Sequence, residues 1–463
     1  MRVDLKRNQI FIVLVITALM GTFMHSSISI ALSTIMKDLS ISANTAQWLN
    51  SGYSLVGGII LPLTAFMTKR FSTKKIFYSS SLILLCGLLI ATFSKTFELL
   101  MVSRVFQAVG STILFSLFQV TIAMLYPIEQ RGKVTGIYGF LSGIVSVFSP
   151  VISGILVDNF GWQSIFSVCI IVLAFDVIFA IKYLKDCSEV SMVKFDVVSF
   201  VLSSLSIFCL LQWVSNISSL SIFDIYMVLL LAIGSVCIIL FSLRQLKSDQ
   251  PFLDIRLLQN KQLKSAVIYG ILLHVIIMAV SSIMPIYLQV FRVLPATVAA
   301  LISIPGTIVM AFANPVAGKI YDKRGIDRLL LYGVTMITIS SLLFGYFDYS
   351  TPLILISLLT IVRSLGIGLI LNVIPIWGIS TIEKNDIGSA NAIIQLLRTV
   401  AGAISSVLFV AIATSSVSNA PIYEKNAELH FGISASFFIT AILGLILMLM
   451  IFYNRKKVKL PLD

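Results

Sequence analysis

Apolar residues run along this chain in stretches of about 17–25, the length a helix needs to cross the hydrocarbon of a bilayer, and short polar breaks separate them. The stretches fall near 10–33, 47–68, 76–95, 99–125, 133–156, 164–183, 197–215, 223–243, 264–288, 296–318, 329–347, 352–378, 387–414 and 431–453. The pattern predicts fourteen transmembrane helices, an all-α integral membrane protein. One stretch stands apart for its small residues. Between Gly136 and Gly154 it holds Gly139, Ser142, Gly143, Ser146, Ser149, Pro150 and Ser153 and no charge. Such a composition lets neighbouring helices approach closely in lipid, and neighbours can satisfy the backbone group that Pro150 leaves unpaired. The stretch reads as a bendable packing helix inside a bundle, with an ordinary small-residue packing face as the alternative.

Composition points the same way. The 463 residues are 58% hydrophobic and only 11% charged, with a mean hydropathy of +1.02, too little charge to solvate a globule of this size. A net charge of +13 does not imply nucleic acid, because the basic residues sit in short clusters between apolar runs. They are Lys69, Arg70, Lys74 and Lys75 after the second run, Arg131 and Lys133 after the fourth, and Lys182, Lys185 and Lys194 after the sixth. Further clusters lie from Arg244 to Lys264, at Lys319, Lys323, Arg324 and Arg328, and in the tail Arg455, Lys456, Lys457 and Lys459. The alternate loops carry only Lys37, Lys95, Arg292 and Lys425. By the positive-inside rule the basic loops and both termini are expected on the cytoplasmic side of a cytoplasmic membrane, that of a bacterium. The first run reads as an uncleaved span.

Cys86, Cys169, Cys187, Cys209 and Cys237 are scattered without a C-x-x-C pair, and the histidines number three, so neither a disulfide framework nor a metal site is indicated. No linker is long enough for a soluble domain, the longest outer loop running from Ser415 to His430. Function must therefore lie within the membrane.

The chain also repeats itself. PLTAFMTKRFSTKK follows the second run and PVAGKIYDKRGIDR the tenth; two runs further on, Arg104 lies in SRVFQAVGS and Arg363 in VRSLGIGLI. Landmarks in the same order and at similar offsets predict two six-helix bundles, residues 1–190 and 263–463, with two inserted helices and a linker over 191–262.

These residues resemble the major facilitator superfamily, and within it the fourteen-helix drug:proton antiporter group of EmrB and QacA type exporters. TAQWLNSGYSLV is similar to the opening of that group's second span, and PLTAFMTKRFSTKK to its first-half cytoplasmic gate loop, which places Lys69 and Arg70 in a gate. Arg104 and Gln107 match its R-x-x-Q motif, and Gly136, Ser149, Pro150, Ser153 and Gly154 fall on its antiporter motif. Pro251, Leu253 and Asp254, then Pro285, Tyr287 and Gln289, and finally Arg398 with Gly402 resemble later landmarks. The departures are as specific. Ala65, Lys69 and Ser72 stand where the gate loop usually has Gly, Asp and Gly, whereas the second-half copy keeps Gly318, Asp322 and Gly325. Val145, Ser149 and Ser153 replace expected glycines. Met24 occupies the usual acid position of the first span, with His25 beside it.

An ionisable group deep in lipid costs several kcal/mol unless paired or hydrated, so each is a functional candidate. For proton coupling the candidates are His25, whose side chain titrates near neutral pH in water, Arg104 by its motif, Asp176 as the carboxylate well inside a span, and His274. A structural role bonded to carbonyls or hydrated near the surface is the alternative for each. Substrate contacts are expected from polar and aromatic groups among apolar ones: Asn50, Tyr53, Gln107, Tyr269, Tyr287, Asn372, Asn391, Gln395, Arg363 and Arg398. Interhelical hydrogen bonding is the alternative.

The resemblance implies alternating access between two bundles, with uphill export of hydrophobic or amphipathic drugs and toxic compounds driven by inward proton flow. Protons are then the coupling ion and no other cofactor is expected. The partners are small-molecule substrates and the bilayer, and a monomer is the expected working unit. A dedicated exporter of one endogenous metabolite, lipid or peptide antibiotic is the close rival. A polytopic enzyme would need a polar catalytic cluster that the sequence does not show, and ATP-driven transport would need a G-x-x-x-x-G-K-[ST] loop that is absent.

Overall fold

A computed structural model describes residues 2–187, 195–217, 224–248, 251, 253–414 and 425–457. Lys194, Lys459 and the first ten positions of the loop from Ser415 lie outside the described residues. Among the described residues fourteen helices are long and apolar enough to cross a membrane. The first bundle consists of α1 (Arg2–Asp38), α2 (Ala43–Arg70), α3 (Thr73–Thr92), α4 (Phe97–Leu125), α5 (Ile128–Phe160) and α6 (Gln163–Tyr183). The inserted pair is α7 (Val197–Asn216) and α8 (Ile225–Lys247). The second bundle follows as α9 (Lys261–Pro285), α10 (Ala296–Arg324), α11 (Asp327–Phe344), α12 (Leu353–Ile370), the short α13 (Val373–Ile379), α14 (Ile387–Thr414) and α15 (Lys425–Lys457). No strand occurs among the described residues.

Helix starts follow local chemistry. Ser42, Ser72, Thr96, Asp224 and Asn260 each accept a backbone N–H of the helix they open, satisfying donors that have no intrahelical partner. The helices outrun their apolar cores: α5 spans 33 residues, more than the roughly 20 that the hydrocarbon of a bilayer requires. One expected span is broken. The run near 352–378 becomes α12 and α13, parted at Leu371 and Asn372 just before Pro375, which has no N–H to give to the ladder. The break exposes the Asn372 side chain to the centre of the molecule, where it matters below.

Within the first bundle α1 packs on α2, α4, α5 and α6, and within the second α9 packs on α13, α14 and α15. The bundles meet along α5 with α10 and α2 with α14. The α7–α8 hairpin lies outside this junction, with α7 resting on both α2 and α14. Its membrane-facing side is studded with exposed Val, Ile and Leu from α8, as a lipid-exposed helix requires. At its polar end Arg244 donates to both Asp196 carboxylate oxygens at 2.9 and 3.0 Å. Those bonds, with help from Ser199, hold the Asp196 carboxyl down at about 2, so the pair stays charged across the ordinary pH range.

Candidate functional site

The junction is closed on the side that carries the basic loops. Along α5, Gly132, Gly136, Gly139 and Gly143 recur every three or four residues and so share one face. That face lies on α10. A Cβ on Gly136 would stand 2.6 Å from the Asn314 carbonyl oxygen, and one on Gly139 would stand 2.6 Å from the Asn372 amide nitrogen. A Cβ on Gly143 would overlap Ala311, and one on Gly318 would overlap the Gly132 carbonyl. Backbone meets backbone here, which only glycine permits.

Polar contacts seal the same end. Asp322 accepts the Gly132 and Lys133 amide N–H groups at 2.8 and 2.7 Å, so the second copy of the repeated loop grips the start of α5. Its glycine, Gly325, ends α10 at φ +71°, the left-handed region that glycine alone enters without strain. The pseudo-symmetric arm is built differently. Lys69 donates to Asp386 across the bundles at 2.7 Å, and Thr68 lies against Gly388. Lys69 thus replaces the usual acid while Asp386 supplies the carboxylate from the other side. Arg70 ends α2 beside it.

Beyond Gly143 the two helices part. Gly154 has nothing within 4 Å of where a Cβ would sit, and Val151 and Ile155 are exposed. The serines that replace expected glycines turn instead toward α1. Ser149 and Ser153 hydrogen-bond the Ser27 hydroxyl at 3.1 and 2.7 Å, and Ser149 also donates to the Phe23 carbonyl at 3.2 Å. The far half of α5 is therefore fastened to its own bundle, with Pro150 inside an unbroken helix. Interhelical hydrogen bonds in membranes average about 0.6 kcal/mol. Ser27→Ala, which removes the shared partner, is expected to lower stability by about 1 kcal/mol in a thermal melt of the purified protein, with Ser149→Ala costing less.

Directly beside the seam, at the floor of the opening, lies a pocket of about 60 Å³ formed by both bundles. Phe115, Phe118 and Gln119 reach it from α4, Thr135 and Tyr138 from α5, Asn372, Pro375 and Ile376 from the α12–α13 break and α13, and Asn391, Gln395 and Arg398 from α14. Asn391, Gln395 and Arg398 lie on one face by i, i+4 and i+7 spacing. Gln395 donates to Gln119 across the bundles at 2.7 Å, and Asn372 donates to Asn314 at 2.8 Å. Arg398 Nε donates to His274 Nδ1 at 3.3 Å.

The remaining expected residues are dispersed. Arg104 is fully buried; its Nε donates to the Leu49 carbonyl at 3.0 Å, Nη1 donates to Gln107 at 2.9 Å, and the guanidinium lies 4.3 Å from the Tyr53 ring centre. Tyr53 is bonded to Ser111 at 2.6 Å and lies edge-on to His25, ring centres 6.2 Å apart. His25 is exposed. Because α1 is enclosed by its own bundle, the face it leaves free looks into the opening. Met24, at the usual acid position, is instead packed in the apolar core. Asn50 donates to Ser29 at 3.3 Å on the open side.

Arg363 donates to the Ile276 and Ile277 carbonyls at 3.3 and 3.2 Å, tying α12 to α9. Asp176 is 2% exposed and neither carboxylate oxygen has a partner, but α6 packs on α1 and α3, on the far side of the first bundle. Tyr269 and Tyr287 lie outside the pocket. Tyr269 accepts from Asn454 and stacks on Trp377, while Tyr287 donates to the Asp348 carbonyl.

Sequence reasoning missed Gln119, Thr135, Tyr138, Asn314, Ser27 and Asp386. A scan for lone polar residues in apolar runs would have found Gln119 and Asn314. Nothing marked Asp386, which sits in a short loop. Among the described residues no group of His, Cys, Asp and Glu is placed to hold a metal ion.

The chain is 29% identical over 405 residues to the lincomycin resistance protein LmrB of Bacillus subtilis, covering 87% of this chain and 85% of that one. It is 27% identical over 363 residues to the riboflavin transporter RibZ of Clostridioides difficile, 78% of each. In fold it matches the proton:xylose symporter XylE with a TM-score of 0.66 at 16% identity, over 97% of this chain and 96% of that one. Residues 12–406 match the family profile of the Major Facilitator Superfamily. Two six-helix bundles, a central pocket between them and that match establish one thing together: the chain belongs to the Major Facilitator Superfamily, a transporter and not an enzyme.

Proposed function

We propose that this transporter exports hydrophobic or amphipathic toxic compounds across a bacterial cytoplasmic membrane, by alternating access driven by inward proton flow. The observation that carries this reading is the asymmetric junction: a glycine seam and two polar clasps shut the basic side, while a pocket lined by both bundles stays beside the opening on the other side. With the basic loops in the cytoplasm, this is the state from which an exporter releases its cargo. The resemblance of Gly136, Pro150 and Gly154 to the antiporter motif and the similarity to LmrB support export over uptake.

For coupling, a proton carrier must meet the opening. His25 is exposed there next to Tyr53 and Arg104, whereas Asp176 is enclosed among α1, α3 and α6, and His274 already uses Nδ1 as an acceptor for Arg398. His25 is thus the proposed coupling group. Proton and substrate would favour opposite orientations of the bundles, which is all that coupling requires. The similarity to RibZ favours one second reading, a dedicated exporter of a single metabolite.

Proteoliposomes loaded with a lipophilic dye, with and without an imposed pH gradient, separate these possibilities. Gradient-driven export of several unrelated compounds, lost in His25→Gln, is the expected result. Export indifferent to the gradient would remove proton coupling, and transport of one compound among many would favour the metabolite exporter.

A further inference from the structure

We infer that the pocket at the floor of the opening seats an anionic head group, so that the compounds exported are amphipathic organic anions, carboxylates foremost; this rests on the export reading above. The size of the pocket is the first reason. About 60 Å³ accommodates a carboxylate or a few waters, far less than the roughly 300–1,000 Å³ of a drug-sized site. It can hold one end of a ligand whose body lies in the opening above.

Charge is the second. Arg398 is 9% exposed, and its Nε bond to His274 requires an unprotonated Nδ1, so the histidine accepts a bond without neutralising the charge. The arginine stem lies over Gly270, where a Cβ would come within 3.3 Å of its Cγ, which holds the guanidinium in place. No carboxylate among the described residues pairs with Arg398. A buried cation with no counter-ion is costly, and a ligand anion would relieve that cost.

A second donor is buried and unpartnered at the wall of the same pocket. Asn391 is 1% exposed and its Nδ2 has no partner, and it lines the pocket two helical turns before Arg398. A carboxylate can accept from both groups at once. Phe115, Phe118 and Tyr138 line the first-bundle wall, with Phe118 and Tyr138 ring centres 4.7 Å apart. They offer an apolar, aromatic surface to the body of the ligand. An amine in this seat would face a guanidinium with no acid nearby.

The test uses three probes that share one aromatic body: pyrenebutyrate, pyrenebutanol and pyrenebutylamine, bound to the full-length protein in phosphatidylcholine nanodiscs and followed by pyrene fluorescence. The carboxylate is expected to bind at least tenfold more tightly than the amine. Arg398→Gln should erase that preference and Arg398→Lys should keep most of it, while cooperative thermal melts of both variants close to that of the wild type report an intact fold. Asn391→Asp, which supplies an acid beside the guanidinium, should weaken the carboxylate and strengthen the amine.

Equal binding of all three probes, or a preference that survives Arg398→Gln, overturns the inference. Adding phosphatidylglycerol identifies the source of the anion: displacement of pyrenebutyrate that depends on Arg398 assigns the seat to a lipid phosphate, and no displacement assigns it to a free carboxylate. Transport separates the two levels. Export of the alcohol and amine but not the carboxylate overturns the anion seat and leaves export standing, whereas export of no probe overturns both.

Discussion

Gly318→Ala is expected to bring export to background while leaving the protein folded and inserted. On α10 the new methyl would overlap the Gly132 carbonyl of α5, and no rotamer can move it because the contact is backbone against backbone. Overpacking typically costs about 1–3 kcal/mol, and the upper end applies where neither side can yield. At about 1.4 kcal/mol per tenfold, the population of the state closed on the basic side falls roughly 10- to 100-fold. The bundles themselves keep their cores, since the seam lies between them. The variant should therefore be open on the basic side, which labelling of a cysteine introduced at Thr68, buried against Gly388 on that side, in a background without the native cysteines would read as increased reactivity. Normal export by Gly318→Ala would show that the seam does not form during transport.

Asp322→Ala is the second large effect. It removes two charge-assisted hydrogen bonds to the Gly132 and Lys133 amides, each worth about 1.5–3 kcal/mol where a charged group is involved. Even at the lower end, transport rate is expected to fall more than tenfold. The other clasp is weaker. Lys69 and Asp386 keep 16% and 29% of their side-chain surface, and a partly exposed ion pair contributes about 0.2–1 kcal/mol, so Lys69→Ala should cost less than about fivefold. Reversing one partner, Lys69→Asp or Asp386→Lys, should be worse than removal because it sets like charges together. The double reversal should recover most of the loss. Rates of dye efflux across this set check the ranking, and an Asp322→Ala variant as active as Lys69→Ala would contradict it.

Much of this architecture is written in the hydrophobic pattern. Fourteen apolar runs gave fourteen spans among the described residues because a bilayer fixes the length of any segment that crosses it. The repeated loops foretold two bundles, since each copy, at Asp322 and at Lys69, makes a polar contact across the junction. What the pattern hides is pairing between runs distant in sequence. Lys69 looks like a loss until Asp386, more than three hundred positions away, is placed opposite. Ser149 and Ser153 look like lost glycines until Ser27 turns out to face them. The gap in the twelfth run was signalled by Pro375, yet its consequence, an Asn372 side chain against Gly139, depends on a helix from the other bundle. Tyr269 and Tyr287 show the converse: a polar ring on a cavity-lining helix is as readily used to hold two helix ends together.

The candidate proton groups divide along the same line. Arg104, Tyr53 and His25 form one contact chain on the open side, although they come from three different helices. Asp176 is conspicuous in sequence as a lone acid, and the fold places it on a helix packed against α1 and α3, away from the pocket. Asp322, Lys69 and Asp386 differ from all of these in that their contacts join the two bundles, so alternating access would have to break them.

The most direct test of an alternating-access exporter driven by protons is dye export from proteoliposomes under an imposed pH gradient, comparing wild type with Gly318→Ala. Gradient-driven accumulation on the side opposite the basic loops by the wild type, absent from the variant, is the predicted result; equal movement in both, or accumulation in the reverse direction, would contradict the account.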